Sequence, residues 1–437
     1  MQSAQIEGSA PREEGVTVPP ETQLPETRAN DHANPRPDAG RQANAGRQSN
    51  AGRLAVSRLM VTQYRNYESA VLDVPAMPIV LCGPNGAGKT NILEAISYLS
   101  PGRGLRGAKL ADIGRRTGDI VGAWSVAATL ETQSGSVKLG TGIEPRSASD
   151  DDDSTEGGND RRVVRIDGET AKGPAALADF MRLIWLTPQM DRLFVEGASS
   201  RRRFLDRLVL GFDPDHGKRV SKYERVMRER SRLLRGGQAD QTWLSALEAQ
   251  MAEGSVAIAA ARRDVVARLR GALAAGIGPF PSADMTVRGD AEDLLVDHSA
   301  VDVEASLRDQ LSRSRGTDGE RGRTRVGAHR ADLEVIHLER QMPAGLCSTG
   351  EQKAVLIAII LADARLQAMQ QGSPPIMLLD EIAAHLDEHR RAALVEEILD
   401  LGVQAWMTGT DRTLFAALEG RACFMNVVNG KVTPAND

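Results

Sequence analysis

Aromatic side chains make up only 3% of this 437-residue chain, which argues against a platform that stacks single-stranded bases. Cysteine is equally scarce. Cys82, Cys347 and Cys423 are scattered and odd in number, so neither a disulfide framework nor a metal-binding spacing can be read from them, as fits a reducing compartment. Charge of one sign is also lacking. A net charge of -5 with 26% charged residues gives no bulk attraction to a polyanion, so any nucleic-acid site must be a local basic patch. Long apolar runs are missing as well: the strongest, around Ala354 to Ala362, is too short to cross a bilayer. The first fifty residues hold no apolar core of a secretory signal. A cytoplasmic protein without a membrane partner is expected. Its 41% apolar share, at this length, is enough for two or three domains and a large core.

What is present begins with a biased segment. Residues 1–53 are rich in Pro, Gly, Asn and Arg and carry a near-repeat, "AGRQAN AGRQSN AGRL". Such a stretch buries too little surface to offset its ordering entropy and reads as a disordered tail. The folded part then divides into 54–198, 199–325 and 326–437. In the first, "RLMVTQYRNYESAVLDV" reads as two strands about a turn and "PIVLC" as a short buried strand. A strand-rich region from 120 to 186 is interrupted by "SASDDDDSTEGGNDRR", an acidic solvated loop. The second part turns helical, with two long helices meeting near Gly236, the second of about 30 residues and roughly 45 Å. "SRSRGTDGERGRTR" reads as a polar break. Alternating strands, an apolar helix from Ser348, and the strands "PPIMLLD" and "QAWMTGT" follow. This is an α/β core split in sequence by a helical insertion.

Gly83-Pro84-Asn85-Gly86-Ala87-Gly88-Lys89-Thr90 fits G-x-x-x-x-G-K-[ST] between a buried strand and the helix "NILEAISYL". The glycines let backbone N–H groups wrap phosphates at a helix N-terminus. Lys89 is expected to reach the β- and γ-phosphates of ATP, and the Thr90 hydroxyl to ligate Mg²⁺. A Gly-rich turn alone could look similar, but a partner acid stands downstream. In "PPIMLLDE" four apolar residues precede Asp380 and Glu381, at the strand end where ligands sit in open α/β sheets. Asp380 is expected to hold Mg²⁺ through water, and Glu381 to orient or deprotonate the attacking water.

Between these motifs lies "STGEQKA". Ser348 and Glu351 form a capping box, which by itself implies only a helix start. Phosphate loop, Ser-x-Gly-Glu-Gln helix and strand-Asp-Glu, in that order, are the motifs of ABC-type ATPases. In that class Ser348 and Gly350 face the γ-phosphate of an ATP held by a second copy, where a helix N-terminus offers free N–H groups to an anion. Asp387 then falls in a loop coupling the two sites. Gln189 falls where a lobe-linking glutamine senses Mg²⁺ or γ-phosphate. Thr408-Gly409-Thr410 lacks the histidine of membrane-transport members, which counts against the runner-up reading, the motor subunit of a transporter.

From Arg201 to Arg235 there are 12 Lys/Arg against 5 Asp/Glu. Arg201, Arg202, Arg203, Lys218, Arg219, Lys222, Arg225 and Arg228 are candidates for contact with a phosphate backbone. Pairs such as Glu224 with Arg228 on a solvated helix face are the plain alternative.

"YRNYESAVLDV", "GPNGAGKTNILEAISYLS", "SRRRFLDRLV", "GAHRADLEV", "STGEQKA" and "LLDEIAAHLDEHRR" stand in the order found in the RecF family, relatives of the Rad50 and SMC ATPases. The chain resembles that family over roughly residues 54 to 430. The resemblance implies a two-lobed ABC-ATPase-like head with a helical arm lobe, an ATP-driven homodimer and slow DNA-stimulated hydrolysis. It also implies a recombination and repair role at gapped or junction DNA, with RecR and RecO as partners in loading RecA. By the same resemblance Arg65 approaches the nucleotide, and Glu94 is a structural acid. The "STGEQ" signature departs from the commoner Gly-rich form.

Overall fold

The computed structural model describes residues 53–117, 120–143, 162–236 and 240–435. The expected tail and the acidic loop, each save its last residue, lie outside the described residues. A six-stranded sheet runs Leu183–Leu186, Ile376–Leu379, Ala405–Gly409, Ile79–Cys82, Cys423–Val428, Lys431–Pro434. All its pairings are parallel except the last hairpin. Three central strands, IVLC, IMLL and AWMTG, are buried at every residue, as strands covered on both faces are. Alternation divides them: Val80, Met377, Leu379 and Met407 enter one core, while Ile79, Leu81, Ile376, Leu378 and Trp406 enter another. Because these strands are parallel, their C-terminal ends meet along one edge. Gly83, Asp380 and Thr410 therefore come together from distant parts of the sequence.

The second core lies between this sheet and an antiparallel six-stranded sheet that opens with Ala55–Tyr64 and Tyr67–Asp73. Helix α1, Lys89–Ser97, is packed into it through Ile92, Leu93 and Ile96. On the other face lie α2 (Ala198–Leu210), α8 (Thr349–Gln371) and α9 (Glu388–Leu401). From Gln352 to Ala364 every residue of α8 is buried, so it is apolar nearly all round, like other fully enclosed helices.

Helices α3 (His216–Arg235) and α4 (Gln241–Ala274) form the long pair expected from the sequence. At 34 residues, α4 runs about 50 Å. Its first half packs on α3 through Leu247, Met251 and Ile258. Its last half, with Val265, Val266, Leu269 and Leu273, belongs to the core of the parallel sheet. One helix thus ties the insertion to the ATPase sheet. α5 (Asp290–Leu294) and α6 (Ala300–Arg313) cover its flank.

Two features differ from the sequence reading. Ala283–Arg288, inside the segment read as helical, is a strand that pairs antiparallel with Asp332–His337. The stretch read as a polar break also holds α7, Arg315–Arg321. No apolar stripe announces α7, because ion pairs fix it. Arg230 of α3, wholly buried, donates to Asp318 at 2.8 Å and to Glu248 at 3.0 Å. Arg315 joins Glu248 at 2.5 Å. Removing one member of such a group leaves a buried charge uncompensated. Arg230→Ala is therefore expected to lower stability by about 3–5 kcal/mol, read from the shift of the urea unfolding midpoint. A loss below ~1 kcal/mol would contradict this role.

Candidate ATP site

The phosphate loop is set by the turn before it. The Asn66 side chain donates to Ala87 O at 2.9 Å, and the Tyr67 hydroxyl donates to Gly88 O at 3.0 Å. Gly88 has φ 115°, and a Cβ there would stand 2.6 Å from Asn66 and 2.7 Å from Tyr67. The glycine is thus required both by the backbone and by its neighbours. A Cβ on Gly83 would meet Val427 O at 2.1 Å. Lys89 is buried inside the loop, its ammonium donating to Gly83 O at 2.7 Å and Pro84 O at 3.0 Å. Burial pulls that ammonium below its usual value, while the charges of Glu381 and Asp380 pull it back up.

At the adjoining strand ends, Thr90 Oγ1 donates to Asp380 Oδ1 at 2.8 Å. Thr408 Oγ1 donates to the same oxygen at 2.8 Å and accepts the Glu381 N–H at 2.9 Å. Glu381 follows at φ 50°, a left-handed conformation that costs an ordinary residue energy and is held by its surroundings. The structure therefore joins Lys89, Thr90, Asp380 and Glu381 in one cluster. Thr408 completes it and was missed as a contributor: in sequence it registered only as the place of an absent histidine. A hydroxyl and a carboxylate at one point are hard oxygen donors. Mg²⁺ is commonly bound through such a pair together with nucleotide phosphates rather than in an all-protein cage.

Other expected residues are placed differently. Arg65, at φ 54°, makes a bidentate pair with Glu94 at 2.6 and 2.8 Å and donates to Asp112 O at 2.8 Å. The hydrogen bond to Glu94 holds its guanidinium above its ordinary value. Glu94 is fully buried and also meets Arg106 at 3.1 Å. Arg106 in turn donates to Asn91 at 2.7 Å. Asn91 follows Thr90 on α1, so Arg106 is a cation near the loop that no motif marked.

Ser348 caps α8 with the full capping box. Its N–H donates to Glu351 at 3.0 Å, and the Glu351 N–H donates to its hydroxyl at 3.4 Å. Hydrogen bonds from the Ser348 side chain and backbone, with help from Arg340, hold the Glu351 carboxyl down at about 2. Ser348 is exposed, and a Cβ on Gly350 would meet nothing within 4 Å. Among the described residues no hydrogen bond or ion pair joins Ser348, Gly350 or Asp387 to the phosphate loop. Asp387 caps α9, accepting the Arg390 N–H at 2.8 Å. Gln189 is exposed just beyond the strand Leu183–Leu186. Two residues on, Asp191 meets the buried Lys353 of α8 at 3.5 Å, so the Gln189 segment and the signature helix are tied together.

The basic candidates separate into two groups. Arg201 is bidentate to Asp332 at 2.7 Å, and Arg202 donates to Ala331 O at 2.6 Å. Both clamp α2 to the "GAHRADLEV" segment. Lys218 pairs with Asp215 at 2.7 Å, Arg219 pairs with Asp213, and Arg203 donates to Ser200 at 3.1 Å. Arg228 stands 3.8 Å from Glu224. Lys222 and Arg225 are exposed.

Fold and site together define an ABC-type ATPase head. The family described as RecF/RecN/SMC N terminal domain matches residues 55–429. A protein of Mesorhizobium japonicum named DNA replication and repair protein RecF is 49% identical over 385 residues, covering 87% of this chain and 98% of its own. A protein of the same name from Brucella suis biovar 1 is 47% identical over 409 residues, covering 93% and 99%. The chain belongs to the RecF family of ATPases, which serve DNA replication and repair. Among solved structures, the recombination mediator protein RecF with ATPrS, of the RecFOR pathway, superimposes with a TM-score of 0.75 at 20% identity, covering 88% of this chain and 99% of that one. The Smc head domain of Pyrococcus furiosus gives 0.50 at 14%, covering 88% and 96%. No helix among the described residues is long and apolar enough to cross a membrane.

Thr408→Val keeps the shape and removes the hydroxyl that orients Asp380 and Glu381. It is expected to slow ATP hydrolysis about 10–100-fold, the usual effect of losing a residue that orients a metal-site acid, with nucleotide affinity held within a few fold. Unchanged turnover, or lost nucleotide binding, would contradict the assignment.

Proposed function

We propose that this chain is an ATP-switched DNA-binding mediator of recombination and repair whose two active sites are each completed by a second copy. The carrying observation is the division of the motifs. The cluster at the phosphate loop holds Lys89, Thr90, Asp380 and Glu381, while the N-terminus of α8, with Ser348 and Gly350, stands exposed and apart from it. The capping box closes Ser348 and Glu351 on each other, and the helix N-terminus beyond that cap still favours an anion.

In this reading residues Gly83 to Gly88 wrap the phosphates of ATP, Lys89 neutralises them, and Thr90 with Asp380 holds Mg²⁺. The metal, when bound, would neutralise charge on the phosphates. Glu381, anchored through its N–H on Thr408, positions or deprotonates the attacking water. Gln189 senses the γ-phosphate and reports it to α8 through the Asp191–Lys353 pair. Arg65 acts on the loop from behind, through Glu94 and Asn66. Ser348, Gly350 and Asp387 act on the nucleotide of the other copy. The ATP-bound dimer, each copy with an ATPase part (54–198 with 326–437) and a helical lobe (199–325), would clamp gapped or junction DNA. RecR and RecO are the proposed partners in loading RecA, hydrolysis is slow, and the location is cytoplasmic. A transporter motor is not favoured, since Thr408 to Thr410 hold no histidine and Thr408 is committed to Asp380 and Glu381.

The division of labour is testable by mass. With ATP and Mg²⁺, Glu381→Gln is expected to run as a dimer in light scattering. Adding Ser348→Arg to it should return the monomer while ATP still binds. A Glu381→Gln protein that stays monomeric at saturating ATP contradicts the shared site. Loss of ATP binding in the Ser348→Arg monomer means that Ser348 serves its own site.

A further inference from the structure

The inward turn of Arg201 and Arg202 leaves open which cations of the helical lobe face solvent as a set. On α3, Arg225, Arg228, Arg232 and Arg235 follow one another by three, four and three residues, and all four are exposed. That spacing puts them on one helix face. The opposite face carries the buried Tyr223, Val226 and Arg230, so the stripe points directly away from the lobe's core. It extends about 15 Å.

The stripe does not end with the helix. α7 and the residues after it are drawn against the end of α3 by the buried Arg230, which reaches Asp318 at 2.8 Å and Thr324 at 3.2 Å. Gly322, at φ 63°, ends α7, and a Cβ there would sit 3.8 Å from Arg235 Cδ. Its neighbours Arg321 and Arg323, and Arg325 beyond, are exposed. Seven exposed arginines from two chain segments thus approach one another at the junction of Arg235 with Gly322. Among the described residues, the only ion pair any of them makes is that of Arg228 with Glu224, at 3.8 Å. Glu229 and Glu320 stand nearby in sequence without pairing to them. Elsewhere the lobe does neutralise its cations: Arg262, Arg308, Arg313 and Arg315 all meet acids. Crowding like charges at the Arg235–Gly322 junction costs energy in the free protein, and an anionic surface would offset it.

We infer that this two-segment arginine stripe, Arg225, Arg228, Arg232 and Arg235 continued by Arg321, Arg323 and Arg325, is the surface on which the phosphate backbone of duplex DNA lies. The inference rests on the DNA reading proposed above and adds where the duplex lies. About 15 Å of duplex carries roughly nine phosphate charges over both strands, so the α3 part of the stripe meets several of them. Without an aromatic side chain or a groove-entering element in the set, contact is to backbone and indifferent to sequence. Arginine suits the task, since its fork of donors matches phosphate oxygens. The buried ion pairs of Arg230 gain a purpose: they hold the second segment beside the first.

The test is a salt titration of full-length protein, with ATP and Mg²⁺, on a fluorescent gapped duplex. Each phosphate contact contributes a slope of about 0.9 to log K against log salt. The triple variant Arg232→Gln/Arg235→Gln/Arg323→Gln should lower the slope by at least about two, with ATP affinity and melting midpoint unchanged. Replacement of the same three by lysine should restore most of it. A control triple away from the stripe, Arg58→Gln/Arg288→Gln/Arg421→Gln, should keep the wild-type slope. An unchanged slope in the stripe variant, while wild type binds DNA, overturns this surface and leaves the DNA function standing. Wild-type protein with no affinity for the duplex at any salt overturns the DNA reading itself, and the stripe with it.

Discussion

Asp380 Oδ1 accepts two hydroxyl hydrogen bonds, from Thr90 and from Thr408, each 2.8 Å long. The rest of the molecule can be understood from this junction. Thr90 and Asp380 are 290 residues apart in sequence, and the whole helical lobe lies between them. Only a parallel sheet with its strand ends along one edge can bring them together. The same sheet fixes Thr408 beside them, and Thr408 fixes the backbone of Glu381. A carboxylate that is 6% exposed needs such partners, because a buried polar group left without hydrogen bonds is costly.

The helical lobe obeys a different rule. Its packing depends on charge inside as much as on apolar contact: Arg230 and Arg262 are almost wholly buried and each meets two acids. Buried pairs of this kind contribute little net stability, but they tolerate no missing partner. The result is a lobe whose inner arginines are locked, while, among the described residues, those exposed on α3 and about Gly322 make almost no ion pairs. Basic content alone does not distinguish the two sets. Arg201 and Arg228 look alike in sequence, yet one clamps Asp332 and the other faces solvent.

That contrast explains what could be read in advance. The phosphate loop, its strand, the Asp380–Glu381 strand end and the Ser348 cap were legible because each is a local pattern with a local cause. The long α3–α4 pair was legible through its period. α7 was not, since Arg315 to Arg321 hold no apolar stripe and depend on Asp318 meeting Arg230 from another helix. The strand Ala283–Arg288 depends equally on a distant partner. Thr408 carried no motif. Its role follows from standing one strand away from Asp380, which only the sheet order reveals. Arg65 was noticed, but its pairing with Glu94 and the support that Asn66 and Tyr67 give the loop required the folded turn.

In the function proposed above, nucleotide at this junction governs DNA affinity. The most direct measurement is fluorescence anisotropy of a labelled gapped duplex with the Glu381→Gln protein, with and without ATP and Mg²⁺. Tight binding with nucleotide and weak binding without it is the predicted result. Equal affinity in the two conditions, strong or negligible, would contradict the claim that ATP switches this protein onto DNA.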